Sequence, residues 1–447
     1  QPEKSRLQSV ILTNDERMFD VGHREVGNSP HRSGGTRKGM GIKHSAEHAK
    51  KDGSALAKAT LKPRQEQRIL SGHLWIYQGN VAKVEGEPAP GDIVDVYTSR
   101  GDFLGRGYYN PHSQIVIRLL TRSEETIDDA FFLKRIQQAR EWRARMMPDA
   151  TSYRLVFSEG DRLPGLIVDR YEDVLVVQFL TLGMDVRREM IVRALVEVER
   201  PQAVYERSDV PSRRYEGLDL REGLLWGELP PQPMVIRENG LAFEIDVTGG
   251  QKTGYFLDQK ENRRSLAPLM PGARVLDVFC HNGAFAVHAL HYGAQEAVGV
   301  DSSEQAIELA RRNAELNGYG NVARFVEANA FDFLREMDRS GERFDVVILD
   351  PPAFAKSKAH FESARRGYKE VNLRGIKICR PGGFLVTCSC SHHMPTDEFY
   401  RLVLEAAADA RRQLRLVEQR GQAKDHPVLA GVPETEYLKC LVFQVLE

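Results

Sequence analysis

The rhythm of apolar and polar positions changes several times along the chain, and each change marks an element or domain boundary. Residues 1–60, including HRSGGTRKGMGIKH and EHAKKDGSALAKAT, show little apolar periodicity and are rich in Gly, Ser, Lys and Arg. That is the composition of a disordered basic extension. From 61 to 124, short apolar alternations such as Ile93, Val94 and Val96, or Ile115, Val116, Ile117 and Leu119, are interrupted by Gly101, Gly105, Gly107 and Asn110-Pro111. This pattern predicts a small β-barrel of short strands. Residues 125–150 switch to a helical period, with Phe131, Leu133, Ile136, Ala139 and Trp142 on or near one face, so a linking helix is expected.

A mixed unit follows over 151–246. YRLVFSEGD and LIVDRYEDVLVVQFL read as strands, MDVRREMIVRALVEV as a helix, and VYERSD and FEIDV as further strands, which predicts a small α+β domain. From 247 to 447, strand and helix alternate regularly between ARVLDVFC and KCLVFQVL. The expectation is a Rossmann-like α/β domain, a mostly parallel sheet with helices on both faces.

Composition adjusts this picture only slightly. With 62 basic and 63 acidic residues the formal charge is −1, so any surface for nucleic acid must be local. Five cysteines scattered through the chain do not form a disulfide framework, and a reducing cytoplasmic setting fits them. No apolar run approaches the roughly 18 to 20 residues that a membrane crossing requires, so no membrane association is expected.

Candidate chemistry gathers in the last domain. RVLDVFCHNGAF is a strand ending near Asp277, a turn with Gly283 and the start of a helix, which is where open α/β sheets bind ligands. It lacks GxGxxG, so a tight pyrophosphate approach of the dinucleotide kind is not supported and a nucleotide-like cofactor without phosphate fits better. AVGVD ends in Asp301, an acid able to accept hydrogen bonds from a ribose diol, although a solvated loop acid would look the same. Ser302 or Ser303 would cap the next helix. Asn329 and Ala330 stand at the third strand tip, where an amide can read an adenine edge, and VVIL delivers Asp350 to the rim ahead of two prolines. Downstream, Lys356, Lys358, Arg365, Arg366 and Lys369 form a basic stretch suited to phosphate or to a solvated helix face.

TCSCSHH, residues 387–393, allows several readings. A metal site needs four converging ligands, which residues so close on a strand end rarely supply, and no metal is expected. A redox pair would be strained, with no thioredoxin-like surroundings. Packing and nucleophilic roles remain.

The series DVFCHNGAF, GVD, EANA and DPPAF resembles class I S-adenosylmethionine-dependent methyltransferases, and the DPP-aromatic tetrad looks like that of enzymes acting on nucleobases. GHLWIY, PGDIVDVY and LGRGYYNPHSQIVIRLL are similar to a PUA RNA-binding domain. YRLVFSEGDRLPGLIVDRY, RSDV and GELPP resemble the central domain of the ribosomal large-subunit RNA cytosine-5 methyltransferase I family, and GQKTGYFLDQKENR, RGYKEVN, HPV and YLKC complete the likeness over 61–447.

The resemblance implies S-adenosylmethionine as cofactor, ribosomal RNA as partner and 5-methylcytosine as product. Cys390, between two serines, would be the nucleophile, with Asp350 contacting the base and Cys388 packing. Gln259, Asp277, Phe279, Gly283, Phe285, Asp301, Ser302, Asn329, Ala330 and Asp350 would line the donor site. Lys260 departs from the family's frequent arginine, and Cys280-His281 replaces its usual pair. Methylation of an exocyclic base amine through DPPAF, with Cys390 structural, is the rival reading; a homodimer would be unsurprising.

Overall fold

The computed structural model describes residues 56–249, 253–354 and 361–447. The expected extension, up to residue 55, and Lys356 and Lys358 of the basic stretch lie outside the described residues.

The first unit is a six-stranded sheet in the order β2-β6-β5-β4-β1-β3. Its strands are β1 (Ala57–Leu61), β2 (Trp75–Ile76), β3 (Val81–Glu85), β4 (Ile93–Tyr97), β5 (Phe103–Tyr109) and β6 (Ile117–Thr121), with helix α1 (Gln67–Leu70) after β1. It wraps one core containing Leu61, Trp75, Val94, Val96, Ile117 and Leu119. Strand β1 starts at Ala57, inside the stretch expected to be extension. Its Lys-Ala-Thr sequence has too little apolar alternation to announce a strand, and pairing with both β3 and β4 supplies the missing order.

Helix α2 (Asp129–Met146) begins at Asp128, whose side chain accepts a hydrogen bond from the Phe131 backbone N–H. It buries Phe131, Phe132, Ile136, Ala139 and Arg143, while Trp142 is exposed, so the apolar face is rotated from the one the sequence suggested. The helix packs on a five-stranded sheet ordered β11-β10-β9-β8-β7. That sheet comprises β7 (Ser152–Phe157), β8 (Leu166–Tyr171), β9 (Val174–Phe179), β10 (Ala203–Ser208) and β11 (Arg221–Gly227), with helices α3 (Leu182–Asp185) and α4 (Arg188–Glu199) before β10.

A hairpin, β12 (Met234–Glu238) and β13 (Leu241–Ile245), follows. Instead of extending the central sheet as the sequence suggested, it pairs only with itself and joins the core of the last unit through Ile236 and Phe243. Helix α5 (Lys260–Ser265) then leads into a seven-stranded sheet ordered β16-β15-β14-β17-β18-β20-β19. Its strands are β14 (Arg274–Val278), β15 (Glu296–Asp301), β16 (Ala323–Glu327), β17 (Phe344–Leu349), β18 (Cys379–Ser389), β19 (Leu414–Arg420) and β20 (Lys439–Val445). Helices α6 (Ala284–His291), α7 (Glu304–Leu316), α8 (Ala330–Ser340), α9 (Phe361–Ile378) and α10 (Thr396–Ala410) connect them.

The first five strands in chain order are parallel and β20 runs antiparallel between β18 and β19. Strand order reverses at β14, which pairs with β15 on one side and β17 on the other, opening a crevice at the strands' carboxyl ends. Register keeps those ends level: Val278 pairs with both Val300 and Leu349, and Leu349 with Thr387. Asp301, Asp350 and Cys390 therefore emerge along one rim. No helix among the described residues is long and apolar enough to cross a membrane.

Candidate active site

Asp277 is buried on β14, one residue before the strand ends. Its Oδ2 accepts a hydrogen bond from Ala286 N at 3.1 Å, in the first turn of α6, and its buried Oδ1 has no partner. Burial pushes its pKa up to about 8; the Ala286 bond opposes the shift, and the nearby charges of Asp350 and Asp301 add to it. Asp301 accepts from His281 N at 3.0 Å and Ser303 N at 3.1 Å, which ties the turn after β14 to the start of α7. Its two oxygens retain room for further donors. Across β14 from it, Asp350 follows β17 and donates its backbone N–H to Val278 O. This rim suits a ligand with positive charge near Asp277 and hydroxyls near Asp301.

The turn between β14 and α6 is tight. Phe279, His281 and Gly283 have φ of 67°, 48° and 75°. A Cβ on Gly283 would stand 3.0 Å from Ala310 Cβ and from the Phe325 ring, so both the backbone conformation and the close approach of α7 require glycine.

The remaining expected donor-site residues surround this rim unequally. Gln259 is buried and accepts from Asn262 Nδ2 at 2.7 Å. Phe279 meets Phe354 edge to face at 6.3 Å, and Phe285 is buried beneath Arg263. Ala330 is buried at the start of α8, whereas Asn329 spends its Oδ1 capping that helix, accepting from Phe331 N and Asp332 N. Its Nδ2 is the atom left to face a ligand. Ser303, not Ser302, caps α7, and Ser302 is exposed at the rim. Lys260 turns to the central unit, where Nζ donates to Ser152 O at 3.1 Å.

Beneath the crevice lies a network that sequence reasoning missed. Arg263 makes a buried two-pronged pair with Glu238 at 2.6 and 3.0 Å. Phe243 stacks on His288 at 5.5 Å, and burial drives the His288 pKa down to about 4, keeping the ring neutral. QKENRR displays Arg263, but no local signal pairs it with an acid on the preceding hairpin.

Cys390 follows β18 and is only 3% exposed, packed among Phe157, Ile167 and Leu180 of the central sheet and Tyr437 and Leu438 of the last unit. It sits on the seam between two domains. The thiol donates to Pro351 O at 3.7 Å, the carbonyl directly after Asp350. Both flanking serines are pinned by the buried Tyr368 on α9: its hydroxyl lies 2.8 Å from Ser391 Oγ and accepts from Ser389 Oγ at 3.0 Å. Lys439, also buried, donates from Nζ to Ser391 O at 2.7 Å and Tyr437 O at 2.9 Å. RGYKEVN and YLKC contain these residues, but their spacing from Cys390 disclosed neither contact.

The other cysteines near the crevice are held as thiols. Cys388 pairs across strands with Cys440, which raises its pKa along with burial, and burial raises that of Cys280. His392 and His393 meet edge to face at 5.7 Å. No group of three or more metal-ligating side chains converges among the described residues. The expected phosphate stretch is also changed: Arg365 is held by Glu398 and Glu405, and Lys369 by Asp409 and Glu405, all on α10. Those charges are spent within the fold; Arg366 alone of the described three is exposed.

A rim of strand ends carrying acidic residues, at the point where strand order reverses, defines a ligand-binding site of a Rossmann-like α/β protein. Residues 171–444 match the S-adenosylmethionine-dependent methyltransferase family and residues 59–122 match the PUA-like domain. The chain is 44% identical to the ribosomal RNA large subunit methyltransferase I of Aeromonas hydrophila, over 85% of this chain and 96% of that one. It is 42% identical to the protein of the same name from Tolumonas auensis, over 86% and 98%. The chain belongs to the ribosomal RNA large subunit methyltransferase I family of S-adenosylmethionine-dependent enzymes. The fold is shared with a candidate methyltransferase solved with S-adenosylhomocysteine, at a TM-score of 0.76 and 23% identity, covering 87% of this chain and 99% of that one.

Proposed function

We propose that this protein methylates carbon 5 of a cytosine in large-subunit ribosomal RNA, with Cys390 as the covalent nucleophile. The observation that carries this reading is the approach of Cys390 to the peptide following Asp350, on the rim that also holds Asp277 and Asp301. Similarity to enzymes named for ribosomal RNA supports the substrate class.

The residues present fit S-adenosylmethionine. The unpartnered Oδ1 of Asp277 suits the donor's ammonium, Asp301 suits a ribose diol, and Gln259, Phe279, Phe285, Ser302, Asn329 and Ala330 would complete the wall around Gly283. The bound donor supplies an electrophilic methyl group.

Carbon 5 of cytosine is a weak nucleophile. Addition of the Cys390 thiolate to carbon 6 forms a carbon–sulfur bond and pushes the ring electrons toward carbon 5, which can then take the methyl group. Loss of the carbon 5 proton to a base and elimination of the thiolate restore the aromatic ring. Asp350 would hydrogen-bond ring nitrogen 3 or the exocyclic amine, helping charge develop on the ring as the thiolate adds. Tyr368 and Lys439 hold the serine-flanked segment that presents the sulfur. The target base must leave its stack to enter the seam.

Incubation with labelled donor and unmodified large-subunit RNA, followed by digestion to nucleosides, should yield 5-methylcytidine. Cys390→Ala should lower that product by at least about a thousandfold while donor binding persists. A variant retaining most activity, or label on an exocyclic amine, would overturn the covalent route in favour of amine methylation through DPPAF.

A further inference from the structure

Away from the crevice, a cavity of about 440 Å³ opens where the end of β6, helix α2 and the turn at Arg162 meet. Four cations line it, Arg122, Lys134, Arg135 and Arg162, against a single carboxylate, Glu125. That carboxylate is already engaged: it accepts from Thr121 Oγ1, lies 3.5 Å from Lys134 Nζ and 3.8 Å from Arg135 Nη2.

Arg135 is 5% exposed. Its Nη2 donates to Leu120 O at 3.1 Å and its Nη1 to Gln138 Oε1 at 3.5 Å, while its buried Nε has no partner. Burial and the field of Arg162 both push its pKa down, the mark of a cation short of negative charge. The exposed Arg162 side chain makes no hydrogen bond or ion pair among the described residues. Two adjacent guanidinium groups with spare donors match the oxygens of a tetrahedral anion, which planar forks can bind in pairs.

We propose that this cavity is a phosphate-binding subsite for the backbone of the RNA substrate, lined by none of the residues named for the donor crevice or packed on Cys390. The lining contains no aromatic side chain on which a base could stack, which favours a backbone phosphate over a free nucleotide. The proposal rests on the reading of ribosomal RNA as substrate. It also moves the phosphate-binding role from Arg365 and Lys369, which α10 neutralises, to the junction of the first unit with α2.

The test compares the full chain with Arg162→Glu, a substitution at an exposed side chain. A fragment of large-subunit ribosomal RNA is titrated by filter binding over a range of salt, with inorganic pyrophosphate and S-adenosylmethionine titrated separately. Charge reversal should weaken RNA binding roughly tenfold and flatten the plot of log affinity against log salt by about 0.7 for each phosphate no longer neutralised. Donor affinity and melting temperature should hold. If the variant binds RNA with wild-type affinity and slope, the subsite is overturned while the ribosomal RNA reading stands. If the wild type itself has no affinity for ribosomal RNA, both fall. Pyrophosphate binding abolished in the variant with RNA binding intact would overturn the backbone as the source and assign the cavity to a free phosphorylated ligand.

Discussion

Asp277 joins a sequence position to a measurable proton. Without donor its pKa lies at about 8, because burial and the charges of Asp350 and Asp301 disfavour ionisation. A cation placed on Oδ1 favours the ionised form, so donor binding should release a proton at neutral pH. Affinity for S-adenosylmethionine should therefore rise with pH, by up to about tenfold per unit, and level off above about 8. Calorimetry in buffers of different ionisation enthalpy measures the released proton, and Asp277→Asn should abolish both the release and the pH dependence. The place of Asp277 on an apolar strand before a glycine turn was legible in the sequence. The orphaned oxygen was not, since it depends on which donors α6 happens to aim at it. Asn329 shows the converse: its placement at a strand tip was readable, but its carbonyl oxygen went to capping α8.

At the scale of elements, the position of Cys390 is set by helix α9 as much as by its own strand. Tyr368 fastens both neighbouring serines with one hydroxyl. Tyr368→Phe removes those bonds, keeps the ring that packs 4.7 Å from Phe354, and should cost about 1 to 2 kcal/mol of stability. We expect kcat to fall roughly tenfold or more with donor affinity unchanged; a proportional decline of both would indicate a merely structural role. Chemical denaturation and single-turnover kinetics separate the two. The hairpin of β12 and β13 carries the complementary lesson. Its alternation announced strands, but its partner was decided by Phe243 stacking on His288 and by Glu238 reaching Arg263, neither of which local periodicity encodes.

Across the whole molecule, the segment between β19 and β20 returns to bind all three units. Arg143 on α2 is buried, pairs with Asp161 at 2.8 Å and donates to Asp425 O at 2.6 Å. Asp425 in turn accepts from Arg154 N on β7. Arg143→Ala would strand the Asp161 charge and should destabilise the protein by about 3 to 5 kcal/mol, seen as a lower denaturation midpoint. On the first unit, Glu434 accepts from Arg68 at 2.6 Å and lies 2.9 Å from His73. Burial alone would raise its pKa, yet the His73 bond and the charges of His73 and Arg68 hold it down at about 2. Because the folded value lies below the ordinary 4.5, this contribution is complete above pH 4.5 and is lost as pH falls toward 2. Glu434→Gln should flatten the decline of the melting temperature over that window.

Local patterning in the chain sufficed for the alternation of strands and helices in the last unit, for the Rossmann-like class of its sheet and for the strand ends carrying Asp277, Asp301, Asp350 and Cys390, but not for β1, which pairing alone orders. Periodicity and turn chemistry are local, so they survive in the chain without its partners. It took the folded molecule to establish that Tyr368 holds the Cys390 segment, that Arg263 finds Glu238, that α10 consumes the charges of Arg365 and Lys369, and that Arg135 and Arg162 share a cavity short of anions. Each of those joins or sets apart side chains according to how whole elements pack, and the free energy of that packing is a property of the assembled surfaces rather than of any stretch of residues.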